Sequence, residues 1–228
     1  MLSQIIEENR VIICSNLIIH NQAIIPTKVE HKKWIKRIRE YTDARKANGD
    51  YKWVAIQRHT SPEKAELNDF TGKYGEFVAN KFLADKGFPN ISPDTTFIPR
   101  KKKSFDADLQ YTKLDPLFPM CHVKSCGDNT LSCHKKRNCK SLYSWTFHNG
   151  DEEKNIKADP LVIDPDRTDL IAFTFVPDNI EKSAKAILYA TTPWNKVHGY
   201  LLPPLNPNKT KICIYSNDLV NNANLWCA

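Results

Sequence analysis

What the 228-residue sequence lacks narrows its class before any motif is considered. No apolar run approaches the roughly 18 residues of a membrane span, so no membrane partner is expected. The first residues do not read as a secretory signal, because Glu7, Glu8 and Arg10 interrupt their apolar stretch. Seven cysteines cannot all pair with one another, which points to a reducing, cytoplasmic setting. There is no internal repeat and no long Gly/Ser linker to cut the chain in two. What is present is ordinary for a globular chain, with 41% hydrophobic and 26% charged residues. The length suits one domain with an elaborated end.

Charge is unevenly placed. The formal net charge is +7. Phe97 to Lys140 carries ten Lys/Arg against four Asp/Glu, and Lys28 to Lys46 carries eight against three. These two segments outweigh a mildly acidic remainder. Two local basic surfaces suggest a polyanionic partner, nucleic acid first. Lysines that merely keep a surface solvated give the same count, so charge alone decides nothing.

Residues 1 to 25 hold two aliphatic bursts, Val11-Ile12-Ile13 and Leu17-Ile18-Ile19, read as strands or a short helix. Trp34, Ile35, Ile38 and Tyr41 recur at helical spacing within Glu30 to Arg45, with lysine and arginine on much of the remaining circumference. That basic amphipathic helix could follow a phosphate backbone, an anionic membrane or only water. Ser61-Pro62-Glu63 marks a helix start. The helix then runs through Leu67, Phe70, Tyr74, Phe77, Val78 and Phe82 to a stop at Gly87, with a possible break at Thr71-Gly72. Strands are expected over Thr95 to Pro99, Phe105 to Thr112 and Phe118 to Ser125, with a turn at Lys113 to Leu117. Ser141 to Phe147 reads as helical, Leu170 to Val176 as a central buried strand, and Ile180 to Tyr189 as helix or strand. Pro203 to Asn208 and Asn217 to Asn224 are turn-rich.

Within this order, Glu76 sits mid-helix and off the apolar stripe. Asp106 and Asp108 sit in Phe105-Asp106-Ala107-Asp108-Leu109, and His122-Val123-Lys124 lies in the next strand. Residues two apart on a strand project to one face, so His122 and Lys124 go together. A turn centred near Asp115-Pro116 sets Asp108 opposite His122 or Val123.

This arrangement resembles the PD-(D/E)XK superfamily, the fold of many restriction endonucleases, over roughly Gly72 to Val176. The resemblance implies an α/β restriction-endonuclease-like core, a mixed central sheet flanked by helices. It implies residues 1–60 as an N-terminal helical extension, 61–190 as the core and 191–228 as an irregular C-terminal extension. Glu76 matches the helical acid, Asp108 the metal-binding Asp (with Asp106 as the fallback) and Lys124 the catalytic Lys. His122 stands where Glu or Gln is usual and becomes an auxiliary ligand that shifts preference from Mg²⁺ toward Mn²⁺. Pro93-Asp94 spells the family's dipeptide, but its distance from Lys124 and turn-like surroundings argue against its use. The implied activity is divalent-metal-dependent hydrolysis of DNA phosphodiesters, often by dimers that cut both strands. The alternative is a catalytically inactive nucleic-acid-binding protein.

Arg100, Lys101, Lys102 and Lys103 precede Asp106, and Lys135, Lys136 and Arg137 follow Lys124; both groups are candidate DNA-backbone contacts. Cys121, Cys126, Cys133 and Cys139 fall within nineteen residues. Without a C-x₂₋₄-C pair, a structural Zn²⁺ site is less expected than free thiols. Its candidate ligands are Cys126, Cys133, Cys139 and His148. Cys121 is expected to face away from His122 as a small buried hydrophobe.

Overall fold

Helix starts in this chain are set by short local signals. A computed structural model of the protein describes residues 2–58, 60–88, 91–97, 108–111, 120–151, 157–205 and 211–223. Thr27 and Glu30 form a reciprocal capping box at the start of α2 (Lys28–Ala47). Ser61 caps α4 (Pro62–Asp85), with Pro62 in its first turn. Asp159 and Pro160 repeat that pattern for α6 (Pro160–Ile163). Gly87 follows α4 at φ +87°, the left-handed turn that ends a helix. No break occurs at Thr71-Gly72. A lone glycine costs about 1 kcal/mol in a helix, and α4 offsets that by burying Phe70, Tyr74, Phe77, Val78 and Phe82.

The protein is a mixed α/β structure whose central sheet has the strand order β1-β7-β6-β4. Its strands are β1 (Ile18–Ile24), β4 (Cys121–Cys126), β6 (Leu170–Phe175) and β7 (Ala186–Pro193). β4 and β6 are parallel, and the other pairings are antiparallel. Every residue of β6 is buried, as its apolar run predicts. Residues 1–60, expected as an extension, supply α1 (Leu2–Ser15), α2, α3 (Asp50–Arg58) and the edge strand β1. The two N-terminal bursts therefore differ: Val11-Ile12-Ile13 is helical, and Ile18-Ile19 begins β1. Ile180 to Tyr189 likewise divides, into α7 (Ile180–Ser183) and the start of β7.

Two apolar clusters cover the sheet's two faces. One joins Trp34 and Ile38 of α2, Phe77, Val78 and Phe82 of α4, and Cys121 and Val123 of β4. The other joins Cys126, Tyr143, Trp145, Phe147, Phe173, Tyr189 and Trp194. The second cluster corrects the helix expected over Ser141 to Phe147. Ser144–His148 is a strand, β5, with Trp145 and Phe147 buried and Thr146 exposed. That alternation has period two, which a strand satisfies and a helix does not. β5 pairs with β8 (Lys211–Tyr215), and the turn-rich reading of Asn217 to Asn224 gives way to α8 (Ser216–Ala223).

The expected strands before β4 are shorter and shifted. β2 (Ile91–Pro93) and β3 (Leu109–Tyr111) form an antiparallel pair. The Lys113 to Leu117 turn lies outside the described residues, as do Arg100, Lys101, Lys102, Lys103 and Asp106. After β4 the chain forms α5 (Asp128–Lys136), where no element had been assigned.

Candidate active site

Gly75 lets α4 approach the sheet closely. A Cβ there would lie 2.0 Å from Ser125 Oγ and 2.6 Å from Thr174 Oγ1. The next residue, Glu76, is thereby buried, and both its carboxyl oxygens accept hydrogen bonds from Lys73 Nζ, at 2.8 and 3.1 Å. Lys73 also lies 5.0 Å above the Tyr41 ring. Burial pushes the Glu76 carboxyl well above the usual range; Lys73 opposes this, while the charges of Asp108 and Asp94 reinforce it.

Asp108 is joined to β4. Its backbone N–H donates to Cys121 O at 3.1 Å, and its Oδ2 accepts the Val123 N–H at 2.7 Å. The backbone groups of Met120 and Cys126 bond Leu170 and Val176 beside β6. In a parallel ladder the odd-numbered residues of β4 therefore turn their backbone outward, to an edge that pairs with no further strand of the central sheet among the described residues, and Asp108 meets it there. Asp94 arrives beside it through β2, its N–H donating to Asp108 O at 3.4 Å. The expected opposition of Asp108 to residues 122–123 is thus approximately met. Its carboxylate, however, lies along the strand edge rather than above one face.

His122 and Lys124 do share a face, but it is the face turned away from α4. Cys121 and Val123 pack with α4, and the two-residue period sends the intervening side chains to the other side. His122 Nε2 lies 3.2 Å from Asp169 Oδ2, and Asp169 also binds Arg167 at 2.6 Å. The His122 hydrogen bond foremost, with Arg167, holds Asp169 below its ordinary range against the opposing effect of burial. Lys124 Nζ lies 2.5 Å from Asp159 Oδ2 and 4.9 Å from the Phe147 ring centroid. Burial would raise Asp159, but the Lys124 charge and hydrogen bond, with the Leu161 N–H, bring it below its usual value.

The structure therefore sets Glu76 on the α4 side of β4, Asp108 at the strand's outer edge, and His122 and Lys124 on the opposite face. Among the described residues no group of three or more His, Cys, Asp or Glu side chains is arranged to hold a metal ion. The expected Glu76–Asp108–His122 cage does not form, because strand alternation turns His122 away from α4 and the Asp108 carboxylate is held on the Val123 N–H. The zinc set does not form either. Cys126 is buried among Tyr143, Trp145 and Phe175, while Cys133 and Cys139 belong to α5 and the turn after it. Cys121 is fully buried, as expected. Lys135, Lys136 and Arg137 are exposed at the end of α5, and Arg137 donates to Leu205 O at 2.9 Å.

Two acids carry no assignment in the sequence, and a third, Asp94, is set aside there although the structure brings it beside Asp108. Asp159 carried the Asp-Pro signal of a helix cap. Asp169 had no signal beyond its place just before the apolar run of β6.

Lys124 opens into a cleft of about 420 Å³ between α4, the end of β4, β5 and β8. No helix among the described residues is long and apolar enough to cross a membrane. Comparison with protein-family models, with curated proteins and with solved structures gives no match.

Proposed function

We propose that the chain is a DNA-cleaving phosphodiesterase with a restriction-endonuclease-like core. The observation that carries this reading is the attachment of Asp108 to β4 at Val123, next to the strand's Lys124, with Glu76 close enough to feel the Asp108 charge. The element order supports it: acid-bearing helix, short antiparallel strands, lysine-bearing strand, helix, then, after the inserted β5 and α6, a parallel buried strand.

Phosphodiester hydrolysis needs an oriented water and positive charge beside the phosphoryl oxygens. Lys124, which lines the polar cleft, supplies an ammonium that Asp159 holds until a phosphate competes for it. Asp108 supplies a carboxylate of the kind this class of enzyme requires, and Glu76 supplies a second that burial disfavours as the charged form and Lys73 holds through both oxygens. The reading carries a requirement for Mg²⁺ or Mn²⁺, which supply an activated water when bound. The described side chains form no cage for such an ion, so no catalytic step is assigned to it.

A second reading has its own observation. His122 and Lys124 are each neutralised by an aspartate on the face away from Glu76. That pattern withholds both side chains from catalysis and leaves a nucleic-acid-binding protein that does not cut, with contacts at the exposed Lys135 and Lys136.

Plasmid nicking separates the two. The first reading expects nicking with Mg²⁺ or Mn²⁺ but not with EDTA. Nicking should fall by about a hundredfold or more in Asp108→Ala and Lys124→Ala. Plasmid binding without nicking under either ion overturns it in favour of the second.

A further inference from the structure

We propose that the cleft beside Lys124 receives one nucleotide of an unpaired strand, with its phosphates met by Lys64, Lys124 and Lys211. This rests on the nucleic-acid part of the reading above, not on cleavage.

Position is the first argument. The cleft lies at the carboxyl ends of parallel strands β4 and β6, with Cys126, Gly127 and Asp178 in its wall. In open α/β sheets, ligands collect outside the carboxyl ends of the strands. Gly127 leaves this wall bare: a Cβ there would meet Val176 O at 3.2 Å and Asp178 Oδ1 at 3.3 Å. α5 begins at the same place with no side chain capping it, and the Asp128 carboxylate in its first turn offsets its partly positive end.

The second argument is charge. Lys64 comes from the first turn of α4, Lys124, which a phosphate would have to share with Asp159, from β4, and Lys211 from β8, while Asp178 is the one carboxylate among the described lining residues. Three cations from three separate elements suit two or more phosphate oxygens better than one carboxylate ligand. The uncharged groups of Asn68, Asn129 and Thr146 line the remainder and can pair with sugar hydroxyls or a base edge.

Size distinguishes the kind of nucleic acid. About 420 Å³ falls within the small-ligand range of roughly 300–1,000 Å³. A duplex carries its phosphates on a convex cylinder and so meets only the rim of a hollow of that size. An unpaired strand can turn one nucleotide into it.

The test is fluorescence anisotropy in EDTA with a fluorescein-labelled oligo-dT strand and a blunt duplex of equal length. The unpaired strand should bind more tightly than the duplex by about tenfold, and a mononucleotide should compete. Lys64→Glu and Lys211→Glu should each weaken strand binding by about tenfold. Each should also flatten the dependence of log affinity on log salt by about 0.7. Lys182→Glu, exposed on α7, should change neither. Unfolding is monitored by circular dichroism, and exposed Lys64 carries the test if Lys211→Glu fails to fold.

Duplex binding as tight as strand binding overturns the proposal, as do unchanged affinity and salt slope in Lys64→Glu. If the wild type nicks plasmid while these results hold, only the cleft assignment falls. If it binds neither strand nor duplex, the nucleic-acid reading falls with it.

Discussion

The Lys124 ammonium and the Asp159 carboxylate lie 2.5 Å apart, and the other Asp159 oxygen caps α6 through the Leu161 N–H at 3.1 Å. One acid therefore fixes both a lysine on the sheet and the start of a helix. Asp159→Asn keeps a capping oxygen but removes the charge partner. It should cost about 1–3 kcal/mol in urea unfolding at pH 7. Because the folded pKa of Asp159 is depressed, its contribution is present above the unfolded value near 3.9. It is lost as pH falls through the lower folded value. The gap between wild type and Asp159→Asn should therefore close in acid, and a gap independent of pH would count against the pairing.

Glu76 should behave in the opposite sense. Its folded pKa is raised, so the folded state holds the proton more tightly than the unfolded chain. Its favourable contribution is full below about pH 4.3 and declines as pH climbs through the folded value. Glu76→Gln should remove that decline and be more stable relative to wild type at pH 8 than at pH 4. Urea midpoints at the two pH values measure it. Lys73→Met, which withdraws the cation opposing the shift, should steepen the decline.

Gly75→Ala should destabilise the protein by about 1–3 kcal/mol through overpacking against Ser125 and Thr174. The added methyl is aimed at the hydrogen-bonded pair Ser125 Oγ and Thr174 Oγ1, which lie 2.9 Å apart. Ser125→Gly in the same chain should recover part of the loss by clearing the nearer atom. A thermal-melt double-mutant cycle reads the coupling.

Thiol reactivity should follow burial rather than sequence spacing. Burial above all pushes the Cys121 and Cys126 thiols far above their ordinary range. Native alkylation followed by peptide mass spectrometry should label the partly exposed Cys133 and Cys139 and spare Cys121 and Cys126. Rapid labelling of Cys126 would contradict its place in the core.

Local signals carried through the fold more reliably than long-range ones. Ser61-Pro62 and Gly87 mark the two ends of α4, because caps and left-handed turns are decided by a few neighbouring residues. The LIAFTF run gives β6, because only a strand covered on both faces buries every side chain. Ser141 to Phe147 went wrong because Trp145 and Phe147 fit either period over so short a span. Their partners in β8 lie far along the chain. The candidate site divided for a related reason. The sequence places His122 and Lys124 together, but which face α4 covers depends on Cys121 and Val123 fitting its apolar stripe. Asp159 and Asp169 meet Lys124 and His122 from 35 and 47 residues away, beyond the reach of any local pattern.

Asp108 has a further consequence as the acid that closes the outer edge of β4. An uncovered strand edge offers its N–H and C=O groups to any other chain. Here a carboxylate from a neighbouring turn takes the Val123 N–H and completes the ladder with a side chain. Asp108→Ala strips that cover along with the charge. The variant used to test catalysis therefore also bares the Val123 N–H on the strand edge, and its activity has meaning only in a monodisperse preparation.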